Sequence, residues 1–281
     1  MLDKKRMIKT VMGRLAGISG IYERAFGSSM LIVAFHRVND QIPEDSLTCS
    51  SAKFEAFCRF FRKYTRIVPL SEQVAACREG KALSGTVSIT FDDGYLDNFE
   101  VAAPILHRLQ LPATFFVTSG FIGSRVIPQW DVELVLQPGW IRWYYVRSLV
   151  AQGFEIGAHT DTHIDMGSAD GKTLRMELEA SKEKISQELG LSVQLFAYPF
   201  GGPQHISERS RELVRELGFI CCASSYGGVN AVGTSSYDLK RIPIADWFAT
   251  ADQFGFEFVR GFRQQAGPRA ESVSSAARVR V

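Results

Sequence analysis

The chain has no CxxC pair, no apolar run long enough for a spanning helix, little net charge and no histidine after His205. Each shortage removes a class of protein. Five cysteines (Cys49, Cys58, Cys77, Cys221, Cys222) without paired spacing give no zinc ribbon and no disulfide framework. They read as reduced thiols acting as small buried hydrophobes. A membrane-spanning helix needs roughly 18 apolar residues, and no stretch approaches that. A formal net charge of +2 leaves no electrostatic footprint for nucleic acid. Lys9, Arg14 and Glu23 interrupt the apolar residues of the basic N-terminus, so a cleaved signal peptide is not expected. What is there is 281 residues, 46% hydrophobic and 22% charged. That describes a soluble globular protein with room for one α/β barrel.

Residues 1–27 read as a basic amphipathic helix. Ile8, Val11, Met12, Leu15, Ile18 and Tyr22 fall near helical spacing, and six basic residues against Asp3 and Glu23 leave a net +4. Such a helix can lie on an anionic membrane surface or pack on the barrel as an extra helix. From residue 28 to 262, strand and helix alternate, which predicts parallel strands with helices outside. Strands are expected at 30–35, 66–69, 87–91, 113–117, 154–157, 194–198, 219–223 and 238–244. Helices are expected at 51–64, 71–78, 97–109, 143–152, 172–189, 207–217 and 251–260. Residues 118–142 are irregular, and a connection that long is usually functional. The polar tail from Gln264, within residues 263–281, is expected to be disordered. Count and length favour a distorted (β/α) barrel of about seven strands over an open doubly wound sheet.

Chemistry concentrates where strands end, as it does in barrels. Val87 to Phe91 runs into Asp92-Asp93-Gly94. Adjacent residues leaving a strand point apart, so one carboxylate can hold a metal while the other takes a proton; an Asp-Gly turn alone reads equally well. His159 and His163 follow another strand and can project from one side of a tight turn. With one carboxylate they would make a catalytic metal set with positions left open. His36 ends the first strand, and Pro199 another.

Three motifs carry a family resemblance: Thr90-Phe91-Asp92-Asp93-Gly94, His159-Thr160-x-x-His163 and Tyr198-Pro199-Phe200-Gly201. In order and spacing, over residues 30–250, they resemble the polysaccharide deacetylases of carbohydrate esterase family 4. The resemblance implies a distorted barrel that removes acetyl groups from N-acetylated sugars with one divalent metal, usually zinc. It further implies Asp93, His159 and His163 as metal ligands, Asp92 as catalytic base, and the backbone N–H of Phe200 as oxyanion donor. Phe200 stands where the family usually has tyrosine, which a backbone donor tolerates.

Two positions depart from the family pattern. Ala197 occupies the place of an arginine that contacts the catalytic carboxylates; Arg241, at another apparent strand end, can supply that charge or be a surface residue. The usual late general-acid histidine is missing. In the branch similar to poly-N-acetylglucosamine deacetylases an early strand-end histidine takes that place, which assigns the role here to His36; a rim histidine satisfied by backbone is the alternative. Trp130, Trp140, Trp143 and Trp247 are candidates for stacking on sugar faces. Hydrolysis of a cyclic amide on the same metal site, or glycan binding without catalysis, are the rival readings. The expected location is cytoplasmic, peripheral at the inner membrane face through residues 1–27.

Overall fold

The computed structural model describes residues 4–266. Two helices, α1 (Lys4–Ile18) and α2 (Ile21–Gly27), precede strand β1 (Met30–Phe35). The single N-terminal helix expected over residues 1–27 is thus broken, at Ser19-Gly20. Gly20 has φ 72°, a left-handed turn that glycine adopts at little cost. Next come β2 (Arg37–Val38), β3 (Thr48–Cys49), α3 (Ser51–Tyr64), β4 (Arg66–Ile67), α4 (Leu70–Arg78) and β5 (Thr86–Phe91). A π-helical turn (Asn98–Ala102) opens the expected helix, which continues as α5 (Ala103–Leu109). Then follow β6 (Thr114–Val117), α6 (Trp143–Ala151), β7 (Glu155–Ala158), α7 (Gly171–Leu189), α8 (Glu208–Glu216), β8 (Ile242–Pro243) and α9 (Ala251–Ala266). The helix α9 carries Gln264 to Ala266 within regular structure, against the expected tail; the rest of that tail lies outside the described residues.

β1 and β5 are fully buried strands paired in parallel along their whole length, from Met30 opposite Thr86 to Phe35 opposite Phe91. Burial on both faces is what a parallel strand covered by helices requires. From β5 the ladder continues through β6 to β7, and β8 pairs with β1. Of the three late strands expected from the sequence, 194–198 and 219–223 are reduced to parallel bridges, Ala158 to Phe196 and Ala197 to Ala223, and 238–244 to a bridge from Ala223 to Leu239 and the two residues of β8. Irregular backbone around them shortens the ladders, yet the hydrogen bonds Ala197 N to Ala158 O, Tyr198 N to Ala223 O and Ser224 N to Leu239 O hold the succession. The ring therefore runs β1, β5, β6, β7, the Phe196 segment, the Ala223 segment and residues 239–243, which return to β1. The result is a distorted (β/α) barrel.

The helices cap themselves where the sequence provides for it: the Asp170 side chain accepts from Lys172 N and Thr173 N to start α7, and Ser207 and Ser210 form a reciprocal cap for α8. Outside the barrel, Phe57, Phe60 and Phe61 of α3 meet Phe254 of α9 in edge-to-face pairs, burying large apolar area with favourable ring geometry. His36, Asp92, Asp93 and His159 stand just past the C-terminal ends of β1, β5 and β7.

Candidate active site

β5 ends in two buried carboxylates that diverge, as the strand pleat predicts. Asp92 turns toward Arg241 and His36; Asp93 turns toward His159 and His163. Of the five non-glycine residues with positive φ among the described residues, Asp93 (74°), Thr160 (61°), His163 (60°) and Phe200 (59°) all stand here, and Gln110 ends α5. Such conformations cost about 1–3 kcal/mol each and persist where the surroundings over-determine them.

The loop after β7 is held from two sides. His159 Nδ1 donates to Ala197 O at 2.9 Å, and the Thr160 hydroxyl accepts from His163 N. Glu177 of α7 accepts from Asp161 N, Thr162 N and the Thr162 hydroxyl. The two imidazoles then converge, with His159 Nε2 at 3.4 Å and His163 Nε2 at 3.3 Å from Asp93 Oδ1. Asp93 Oδ1 nevertheless has no hydrogen-bond partner, nor has buried His163 Nδ1.

This arrangement fits a cation. Because Ala197 O can only accept, His159 carries its proton on Nδ1, and a neutral ring directs the Nε2 lone pair at a carboxylate oxygen. Two lone pairs facing each other in a buried site repel unless a proton or metal stands between them. One ligand atom from each of Asp93, His159 and His163 lies within 4.8 Å of the others, a set suited to zinc with open positions for water and substrate. Burial opposes the charge on Asp93, but a positive charge or proton on the facing imidazoles outweighs it and holds the carboxyl well below its ordinary range, the same stabilisation a cation in that place would give.

Asp92 is paired differently. Arg241 Nη1 reaches Oδ1 at 2.7 Å and Nη2 reaches Oδ2 at 2.6 Å. The guanidinium is fixed further by Ser224 O, Thr90 Oγ1 and Ser225 Oγ. Burial again pushes the carboxyl up, and Arg241, with His159 and His36, more than reverses it, so Asp92 stays ionised. Arg241 is thus no surface residue: it is fully buried beside Asp92. His36 Nε2 lies 3.9 Å from Asp92 Oδ2, and the Asn98 side chain donates to His36 O. Burial draws the His36 pKa below its usual value, with Asp93 and Asp92 pulling it back.

Phe200 is half exposed, its ring 4.7 Å from that of His163. Of the four tryptophans, only Trp130 borders the candidate metal ligands, 4.6 Å from His163. It lines a cavity of about 370 Å³ with Phe121, Val126, Pro128 and Thr162. Trp140 is buried on Tyr95, Trp143 belongs to α6, and Trp247 donates to Pro243 O. His107 is exposed on α5 and His205 pairs with Asp165.

A second ionic cluster beneath the cavity escaped the sequence reading. Buried Arg37, next to His36, binds Thr48, Asp45 and Asp131, while Tyr95 and Trp130 complete the network through Tyr95 O–H to Asp131 and Trp130 Nε1 to Tyr95. The signal was a charged residue directly following an apolar strand; its partners in the irregular loop could not be paired by spacing.

The same features recur in known proteins. The family profile described as polysaccharide deacetylase matches residues 79–221. The Bacillus subtilis protein YxkH, named as a polysaccharide deacetylase, is 21% identical over 76% of this chain and 71% of its own. The poly-beta-1,6-N-acetyl-D-glucosamine N-deacetylase of Staphylococcus aureus is 25% identical over 70% of this chain and 68% of its own. The structure of IcaB from Ammonifex degensii shares the fold, with a TM-score of 0.67 and 22% identity over 83% of this chain and 98% of that one. With the matched segment containing both carboxylates, both histidines and Phe200 on this barrel, the chain belongs to the polysaccharide deacetylase family, enzymes that hydrolyse the carbon–nitrogen bond of N-acetyl groups.

Proposed function

We infer that this enzyme removes N-acetyl groups from an N-acetylglucosamine-containing bacterial glycan or its precursor, with one zinc ion held by Asp93, His159 and His163. The observation that carries the reading is the convergence of His159 Nε2 and His163 Nε2 on an unpartnered Asp93 oxygen, beside an ionised Asp92. The likeness to a poly-N-acetylglucosamine deacetylase supports the choice of glycan.

A divalent metal bound there would act as a Lewis acid toward the acetyl carbonyl and lower the pKa of a water. The chain's own residues supply the rest. Asp92 takes a proton from the attacking water; its oxygens keep free lone pairs although Arg241 occupies one on each. Arg241 keeps Asp92 ionised between turnovers. The backbone N–H of Phe200 donates to the developing oxyanion. His36 protonates the amine as the carbon–nitrogen bond breaks, because an amide nitrogen does not leave as an anion. A buried, weakly basic imidazole gives up its proton readily. Asp92 Oδ2, 3.9 Å from His36 Nε2, can return the proton it took, through a bridging water or a small side-chain movement. Trp130 and the cavity beside His163 offer a wall for a sugar ring.

The test is acetate release from free, nucleotide-linked and oligomeric N-acetylated sugars, with chelator and after zinc is restored. Release that chelator abolishes and zinc restores is the expected result. No release from any sugar by zinc-replete protein would overturn the reading and turn attention to cyclic amides.

A further inference from the structure

The helix α1 is attached to the barrel the wrong way round for an ordinary surface helix. Its buried residues are Thr10 and Gly13, and its apolar residues face outward. Met7, Ile8, Val11, Met12, Leu15 and Ile18 are 45–84% exposed. At 3.6 residues per turn these six fall within about 140° of the circumference, and from Met7 to Ile18 they extend over roughly 16 Å of the helix.

The inward face is built to keep this orientation. A Cβ on Gly13 would stand 2.0 Å from Asp252 O, and one on Gly17 2.7 Å from the Tyr64 hydroxyl. These glycines let α1 lie directly on α9 and on the aromatic cluster beneath it. Polar ties finish the seam: Arg6 to Asp246 O, Lys9 to Glu257, Thr10 to Thr250, and Arg14 to Asp252. Rotating the apolar stripe inward would break all four.

Charge decides what covers the stripe. α1 contains Lys4, Lys5, Arg6, Lys9 and Arg14 and no carboxylate. Exposed Arg14 also borders a cleft of about 400 Å³ with Arg59, Lys63 and Tyr64. Although Glu257 and Asp252 of α9 pair with Lys9 and Arg14, a second copy on this stripe would bring two basic helices together with no carboxylate of α1 between them. An anionic surface with an apolar interior meets both the charge and the exposed side chains.

We propose that α1 docks the enzyme on an anionic lipid bilayer, its apolar stripe in the acyl boundary and the exposed Lys4, Lys5 and Arg14 toward the headgroup phosphates. The end of α1 that carries Arg6 reaches the catalytic rim: Arg6 binds Asp246 O, Asp246 N binds Asp45 O, and Asp45 pairs with Arg37 beside His36. The N-terminal end of α1 is thereby joined to the rim of the barrel opening, which would hold the opening near the membrane surface. Docking does not depend on the deacetylase chemistry.

Flotation of the full chain with vesicles tests it. On phosphatidylcholine vesicles carrying about one third phosphatidylglycerol the wild type floats; on phosphatidylcholine alone, or in about 0.5 M salt, the bound fraction falls at least about fivefold. Val11→Ser/Leu15→Ser/Ile18→Ser weakens binding by about tenfold or more, with circular dichroism and acetate release from a soluble oligomer unchanged. Lys4→Glu/Lys5→Glu, a surface change, weakens it on anionic vesicles. Wild-type protein that stays with the pellet, or variants that float equally, would overturn the proposal. So would a wild-type dimer in sedimentation that the serine variant turns into a monomer, since a second copy would then own the stripe.

Discussion

Arg241 holds Asp92 through both ends of its guanidinium, at 2.7 and 2.6 Å, across 149 residues of sequence. Both groups are fully buried, so neither charge is compatible with the loss of the other. The pair is a fixed electrostatic setting for the base, built from a strand end remote from it.

Replacing Arg241 with methionine leaves Asp92 buried and unpaired. The expected loss of stability is about 3–5 kcal/mol, read from chemical denaturation. Asp92 is held below its ordinary value chiefly against burial by Arg241; without that pull its pKa rises. The acidic limb of the pH–rate profile then moves to higher pH. An unshifted limb in folded variant would contradict this.

Zinc added to metal-stripped protein is expected to raise the melting temperature, since a ligand at a hundredfold over its Kd adds about 2.7 kcal/mol. His163→Ala removes one of the three converging ligand atoms and should lose most of that increment. Equal zinc stabilisation of variant and wild type would place the metal elsewhere.

Asp97 gives a pH signature independent of the metal. Burial pushes its carboxyl up to about 7, against hydrogen bonds from Val38 N, Asn39 and Asn98. A raised carboxyl pKa means the folded state binds the proton more tightly than the unfolded chain. Its favourable contribution is full below the unfolded value near about 4 and is lost as pH rises to about 7. Wild-type melting temperature should therefore fall relative to Asp97→Asn across that window. A constant difference between the two proteins would refute the assignment.

The loop at 118–142 is pinned by Asp131 to Arg37 and Tyr95, and Trp130 beside it faces His163. Asp131→Asn keeps the shape and removes the charge. The expected outcome is a KM for oligomeric substrate raised about tenfold, from weaker positioning of the sugar wall, with kcat and zinc content nearly unchanged. A fall in kcat at constant KM would show that the cluster acts on the chemistry instead.

The legible parts of this chain were those with a repeating or adjacent pattern. β1 and β5 announced themselves as β-branched and aromatic runs, and the two carboxylates stood side by side at the end of one. His159 and His163 were visible from spacing. The late strands were read too long because the segments around Phe196, Ala223 and Leu239 meet their neighbours only through isolated bridges, and propensity does not say where a ladder is cut short. Gly20 split the N-terminal helix by a left-handed turn, a choice that glycine permits without requiring. Amphipathicity was seen in residues 1–27, but its direction was not, because that depends on what Gly13 and Gly17 touch. The Arg37 to Asp131 pair joins residues 94 apart, and only the closed barrel brings them together.

The most direct test of the assigned chemistry is Asp92→Asn, with zinc content and acetate release measured on the same sample. Asp92 does not contact the three proposed metal ligands through its own oxygens; it stands between Arg241 and His36. The expected result is full zinc occupancy with turnover reduced by about 10²–10⁴. Wild-type turnover with zinc bound would contradict Asp92 as the base, and loss of zinc along with turnover would contradict the separation of the two carboxylates' roles.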